Sequence, residues 1–386
     1  MIDITDRKDC CGCTACVSVC PAQCIVMTRD EEGFCYPHVT SERCIGCGRC
    51  DSVCPMGASS GVSGDPSCFA VRAADSGPSS SGGVFPLLAS AILQRGGTVF
   101  GAVMDEDLNV CHAETSCQED ISPMCGSKYV QSELYASFED VRERLDEGRP
   151  VLFSGTPCQV AGLRNFLGTD HEMLFTVDFA CHGVPSPMLW KRYVHAVSAR
   201  AGKRLSSVCF RDKYRSWRNY EVRYGYEDGT FVRTPYMKDP YMALFIQNMS
   251  LRPSCYGCAF RSGGNVSDIT LSDLWNVAVA CPQLDDDKGV SGVLANTPKG
   301  RALLEGTVSG KSRMYPIEKH LLKERNSGFS DTIPMPEDRE SFYAGLPSMD
   351  APLLSYMRRF VRRKPLSERL RAALRPLLSY CRKKRR

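Results

Sequence analysis

No stretch of this chain approaches the ~20 consecutive apolar residues that a membrane-spanning helix requires. The first residues, MIDITDRKDCCGC, have no apolar core of the kind a secretory signal carries, so a cytoplasmic protein is expected. Also missing are a P-loop, a nucleophile elbow, an HExxH pair and a complete dinucleotide glycine fingerprint. NTPase, serine-hydrolase and zinc-peptidase chemistry therefore have no support, and neither does NAD(P) binding. What the chain has in abundance is cysteine, 22 residues in all. Without a leader, that number points to a reducing compartment and metal ligation rather than disulfides. Thiolate-rich clusters also suggest an anaerobic host.

Two cysteine runs carry most of the information. Cys10, Cys13, Cys16 and Cys20 precede Pro21, and Cys44, Cys47, Cys50 and Cys54 precede Pro55. Both read C-x2-C-x2-C-x3-C-P, the bacterial spacing for 4Fe–4S clusters, in which the fourth cysteine ligates the other cluster. The expected ligand sets are Cys10, Cys13, Cys16 and Cys54 for one cluster, and Cys44, Cys47, Cys50 and Cys20 for the other. A zinc site or a disulfide framework is the competing reading. Cys11, Cys24, Cys35, Cys68, Cys111, Cys117, Cys125, Cys209, Cys281 and Cys381 fit no ligand pattern and read as small buried hydrophobes or surface thiols.

A hydrophobic share of 43% and a charged share of 24% place the chain among ordinary globular proteins, long enough for two or three cores. Residues 1–57 form the dicluster ferredoxin-like domain, and the Gly/Ser/Pro-rich stretch Gly57 to Ser67 reads as a linker. Strands then alternate with helices. Strands are expected at Cys68–Ala73, Thr98–Met104, Val151–Phe153 and Leu174–Phe179, and helices at Val84–Gln94, Phe138–Leu145, Pro157–Leu167 and Pro187–Ala199. That alternation predicts a largely parallel α/β sheet. From about Ser206 the pattern turns β-rich, with a hairpin around Glu227-Asp228-Gly229 and a further strand at Asp268–Ser272. The expected class is α/β, α+β overall: residues 68–200 and 201–345 are the two parts of the second domain, and 352–386 a basic amphipathic tail.

That tail is distinctive. Met357 to Arg386 holds thirteen Lys or Arg against a single acid, Glu368, although the formal charge of the whole chain is only +4. Leu366, Leu370, Leu374, Leu377 and Leu378 share one helical face, interrupted by Pro376, with Arg369, Arg371 and Arg375 around it. Such a segment suits a peripheral contact with the inner membrane face or an acidic partner, or it is a solvated extension. It lacks aromatic interleaving and a recognisable module, so no nucleic-acid partner is expected.

Four further cysteines stand out, two where strands end and two in a C-x2-C. Cys158 lies in FSGTPCQVAGL, Cys181 in DFACHGVPSP, and Cys255 and Cys258 in RPSCYGC. Together they are enough to ligate a third 4Fe–4S cluster, at the sheet edge where cofactors usually bind. GSKYVQS (Gly126 to Ser132), GTPCQVAGL, CHGVPSP, RPSCYGC and SDITLSDLW (Ser267 to Trp275), in that order, resemble the beta-subunit family of the deazaflavin (F-420 type) hydrogenases and dehydrogenases. The resemblance is to the bacterial type with a fused dicluster ferredoxin. It implies a FAD-binding α/β domain and one further cluster held by the cysteines matching its motifs, Cys158, Cys181, Cys255 and Cys258. One departure is SDLWN at Ser272 to Asn276, where the family commonly reads GDFWG.

A flavin pyrophosphate needs amides at a helix start, and Ser81, Gly82 and Gly83 precede one. A reduced ring needs a nearby cation, and Lys128 is the candidate, with Ser127 and Tyr129 beside it. Gln131, Ser132, Thr156 and Gln159 are candidates for ring or ribose hydrogen bonds. His182 is a candidate proton donor, although a loop histidine reads the same. Arg211, Lys213, Arg215, Trp217 and Arg218 could receive an anionic substrate or form a charged strand edge. The leading function is an iron–sulfur flavoprotein oxidoreductase that serves a redox partner protein (a ferredoxin or enzyme subunit) and a small organic substrate. An electron-transfer adaptor without its own substrate is the alternative, and a metal-sensing protein the third reading.

Overall fold

β-Branched runs supply the centre of the molecule. The computed structural model describes residues 1–57, 61–62, 64–74, 78–261, 266–330, 332–349 and 352–362. An eight-stranded sheet is built from β3 (Ser67–Arg72), β4 (Thr98–Met104), β5 (Val110–Thr115), β6 (Val151–Ser154), β7 (Leu174–Phe179), β11 (Ile269–Asp273), β12 (Ser291–Ala295) and β13 (Arg313–Pro316). Its order is β13-β3-β12-β11-β7-β6-β4-β5. Only β4, β6, β7 and β11 run parallel to one another, and every other pairing is antiparallel. The expectation of a largely parallel sheet is thus met only at the centre. After Ala201 three strands follow without an intervening helix, and β4 returns directly to β5 through the Asp105–Asn109 turn, where Leu108 takes φ 62. A hairpin needs no crossover helix.

A separate three-stranded sheet comprises β8 (Leu205–Asp212), β9 (Glu221–Tyr226) and β10 (Phe231–Pro235). The β9–β10 hairpin turns at Gly229, φ +79, where the sequence placed it. The N-terminal module holds the hairpin of β1 (Ile25–Arg29) and β2 (Cys35–Val39), with the one-turn helices α1 (Ala15–Ser18) and α2 (Arg49–Ser52).

Helices α3 (Val84–Leu93), α4 (Ser137–Asp146), α5 (Pro157–Leu167) and α6 (Pro187–Ala201) cover the sheet. Local chemistry bounds α5: the Thr156 N–H donates to Gln159 Oε1 at 2.9 Å, Pro157 takes the first turn, and Gly168 ends the helix at φ +71.

The N-terminal module is not an appendage. Ala15 and Val53 share a core with Phe138, Val160 and Leu163, while Phe34 is fully buried in the aromatic core of Trp190, Tyr193 and Tyr241. Glu32 and Arg339 form a buried bidentate ion pair that ties β1–β2 to the far end of the chain. The tail read from sequence begins with a packed helix, Leu353–Phe360, whose Leu353 and Met357 are fully buried. The leucine face from Leu366 onward lies outside the described residues, as does part of the Gly57–Ser67 linker. Among the described residues no helix is long and apolar enough to cross a membrane.

Candidate redox-cofactor site

Two concavities in the N-terminal module are walled by the motif cysteines in crossed sets. One, of about 320 Å³, is lined by Cys10, Cys13, Cys16 and Cys54. The other, of about 370 Å³, is lined by Cys20, Cys44, Cys47 and Cys50. The two motif loops have the same backbone shape: Gly12 and Gly46 take φ +71 and +68, and Thr14 and Gly48 take +63 and +70. A β-branched residue rarely adopts that conformation, so at Thr14 the surrounding loop imposes it. Among the described residues no three His, Cys, Asp or Glu side chains converge as a lone ion would need. The thiols instead ring each cavity, and a cubane holds its ligands that way. Cys47 and Ile45 leave the second cavity open at the surface, Ile45 being 68% exposed. Burial pushes the Cys16 thiol up to about 12 and raises Cys10 as well. Iron would have to displace these protons.

A third cavity, the largest of these three, spans about 840 Å³, part of it open to solvent, at the carboxyl edge of the parallel strands. Cys158 enters from the first turn of α5, Cys181 from the loop after β7, and Cys255 and Cys258 from the turn beginning at Pro253. The four cysteines named from sequence therefore meet. Burial, followed by the neighbouring thiols Cys255, Cys158 and Cys258, drives Cys181 well above the usual thiol range; burial also puts Cys255 at about 12 and Cys258 at about 11.

Two cysteines that fitted no ligand pattern also line these cavities. Cys24 lies 3.5 Å from Cys20, sulfur to sulfur. Cys11 pairs with the Cys158 thiol and, together with Met56, lines both the first and the largest cavity. The Cys10-Cys11 doublet was the only sequence signal.

The candidate hydrogen-bonding residues divide between two places. Gln131 donates to Cys11 O at 3.1 Å and accepts from Arg252, and Thr156 Oγ1 lies 3.1 Å from Cys158 Sγ. Gln159 reaches Ser132 O at 3.4 Å, and Ser132 Oγ lies 2.7 Å from His112 Nδ1. All four of these candidates belong to the cysteine side. His182 Nδ1 meets Ser327 Oγ at 3.1 Å, while its Nε2 is buried with no partner among the described residues. Burial and then Arg261 hold the His182 pKa below the ordinary value, which favours the neutral ring.

On the other side, Ser81, Gly82, Gly83, Ser127 and Lys128 come together. Ser80 Oγ accepts the Ser127 N–H at 2.7 Å, joining the two turns. Gly82 is required by packing, because a Cβ there would lie 2.4 Å from Val71 O and 2.5 Å from Ser291 N. Helix α3 starts at Gly83 without a side-chain cap, leaving first-turn amides to an anion. Lys128 Nζ donates to Pro123 O at 2.6 Å and Cys125 O at 3.1 Å, and desolvation lowers it to about 8. Lys213 Nζ donates to Ser81 O at 2.7 Å. Neither lysine has a carboxylate partner among the described residues, so the turn is electropositive and fits a pyrophosphate. Tyr129 is packed instead against Phe210 and Phe245. Arg211 on β8 and Arg218 in the loop that follows it are committed to Asp273 and Asp285.

Residues 148–319 match the family described as the C terminus of the coenzyme F420 hydrogenase/dehydrogenase beta subunit, and residues 9–58 match the 4Fe-4S dicluster domain. No curated protein matches the chain. Among solved structures, a chain of the F420-reducing NiFe hydrogenase complex from Methanosarcina barkeri, from a xenon derivatization study, is 19% identical with a TM-score of 0.46. The match covers 67% of this chain and 87% of that one.

Proposed function

We propose, for a chain that belongs to the coenzyme F420 hydrogenase/dehydrogenase beta-subunit family and carries an N-terminal 4Fe–4S dicluster domain, an iron–sulfur flavoprotein oxidoreductase with three 4Fe–4S clusters, FAD and a small organic acceptor. The observation that carries this reading is the succession of three cysteine-walled cavities, the first and the largest sharing Cys11 and Met56. When bound, clusters exchange single electrons and a flavin gathers them in pairs.

The chain's own residues divide the work. Cys10, Cys13, Cys16 and Cys54 hold one cluster, Cys20, Cys44, Cys47 and Cys50 the second, and Cys158, Cys181, Cys255 and Cys258 the third. Ser81, Gly82, Gly83 and Ser127 form the floor for the anionic part of FAD, and Lys128 and Lys213 supply its positive charge. His182 keeps a single proton on a neutral ring beside Cys181. The exposed rim at Ile45 and Cys47 receives a redox partner, a ferredoxin or another subunit. Residues 1–57, 68–200 and 201–345 are the corresponding functional divisions of a cytoplasmic protein, and the basic residues beyond Arg362 provide a peripheral membrane contact.

The open rim also favours the adaptor reading, in which the same electrons leave to a second protein and no substrate is turned over. Anaerobic reduction by a low-potential donor tests the route. In the wild type, flavin absorbance should bleach after the clusters. In Cys158→Ala the dicluster should still reduce, while flavin bleaching slows tenfold or more. Equal bleaching rates would remove the third cavity from the path, and a chain that reconstitutes without flavin would leave only the adaptor.

A further inference from the structure

Among the described residues four arginine side chains lie almost wholly inside the protein, and they fall into two classes. Arg211 and Arg339 each meet a carboxylate, Asp273 and Glu32. Arg252 and Arg261, at 0% and 4% exposure, meet none among the described residues. Arg252 donates through Nε to Cys10 O at 2.8 Å and through Nη2 to Cys35 O at 2.9 Å, with Cys10 Sγ at 3.5 Å. Arg261 donates through Nη1 to Cys181 O at 3.0 Å and His182 O at 3.1 Å, and through Nε to Ser330 O at 3.0 Å. Both line the largest cavity. They bracket its C-x2-C pair at equal spacing, Arg252-x2-Cys255-x2-Cys258-x2-Arg261.

A guanidinium cannot shed its proton in a protein. Burying one with only neutral acceptors costs several kcal/mol, so a buried charge is normally paired. The carboxyl in the cavity lining, Asp178, does not supply the missing anion. Among the described residues it has no arginine contact and one of its oxygens is unpartnered, and burial lifts it to about 7. What the cavity does hold is a ring of thiols. A 4Fe–4S cubane with four thiolates carries a net charge of about −2, one more negative after reduction, and net charge is among the factors that set its potential.

We propose that Arg252 and Arg261 are the fixed counter-charges of the third cluster, with Arg252 shared with the cluster at Cys10. The two guanidiniums, with Lys323 also on the cavity wall, offset part of the charge of the oxidised cluster and favour the added electron of the reduced one. No proton or bond change accompanies the step: one electron enters from the reductant and the arginines stay charged. This rests on the third-cluster reading above. It adds that Arg252 acts on two clusters whereas Arg261 acts on one.

The test uses the full chain reconstituted anaerobically, with iron counted before an EPR-monitored dithionite titration. The third signal is identified by its loss in Cys158→Ala. Arg252→Met should lower the third potential and that of the Cys10 cluster by a tenfold shift in reduction equilibrium or more, about 59 mV for one electron. Arg261→Met should lower only the third, and Arg252→Lys should recover most of the shift. Iron lost in the Met variants but retained in Lys supports the same charge role. Iron lost equally in Met and Lys variants, or full iron with unchanged potentials, overturns it. A wild-type protein with only about eight irons, four for each of two clusters, overturns the third cluster itself and this inference with it.

Discussion

Gly162 sits in the middle of α5, where a helix would ordinarily gain from alanine. An exposed Gly→Ala change inside a helix is worth about 1 kcal/mol in propensity. Here a Cβ would lie 2.9 Å from both Cβ and Sγ of Cys13, and 3.5 Å from Phe138. Ordinary van der Waals contact begins near 3.4 Å, so the loop carrying Cys13, a proposed cluster ligand, would have to retreat. Overpacking of this kind costs about 1–3 kcal/mol, which outweighs the helical gain. Gly162→Ala should therefore lose about 1 kcal/mol and loosen the cluster proposed at Cys13. Gly306, near the end of the helix Pro298–Thr307, has open space around its Cβ position and serves as the control. Gly306→Ala should gain up to about 1 kcal/mol by restricting the unfolded chain. Anaerobic urea denaturation, followed by circular dichroism and by cluster absorbance, compares the two. If both variants were stabilised alike with unchanged absorbance, the close approach of α5 to the ferredoxin module would be wrong.

Removing Glu32 from the buried pair with Arg339 leaves an uncompensated charge, so Glu32→Ala should cost about 3–5 kcal/mol; a fragment starting at residue 66 should fail in the same way, and a soluble, cooperatively melting fragment would count against a shared core. His112 is wholly buried and its pKa is depressed to about 4 by desolvation, below the ordinary 6.5. The unfolded chain then takes a proton before the folded one does, so the histidine's contribution is complete above pH 6.5 and is lost as pH falls toward 4. His112→Asn should flatten the stability profile across that window, and parallel profiles for the two proteins would refute it. Full-length chain should float with anionic vesicles at low salt, while a chain ending at Arg362, which keeps the packed Leu353–Phe360 helix, should not; equal flotation would leave the basic extension without a membrane role.

Much of the central scaffold was legible because local chemistry and tertiary structure agree there. TVFGAVM, LFTVDF and PCQVAGLRNFL became β4, β7 and α5 at the expected residues, since β-branched runs, an opening proline and a closing glycine all signal the same boundaries. The antiparallel flank was not legible. SGVLA, which forms β12, is a five-residue run buried throughout with no alternation, and periodicity cannot assign such a run to an element or a neighbour. The crossed cysteine sets followed from spacing alone. The flavin candidates did not: Thr156 and Gln159 read as plausible partners for a ring, yet the α5 cap turns them toward Cys158 and Ser132. Arg252 and Arg261 were visible as residues, but that neither meets an acid among the described residues emerges only when the chain is folded.

Iron, sulfide and flavin counted on the intact chain after anaerobic reconstitution test the central claim most directly. About twelve irons and about twelve sulfides per chain, four of each for every cluster, are expected together with one non-covalent FAD. About eight irons, or a chain that binds no flavin while holding its iron, would contradict it.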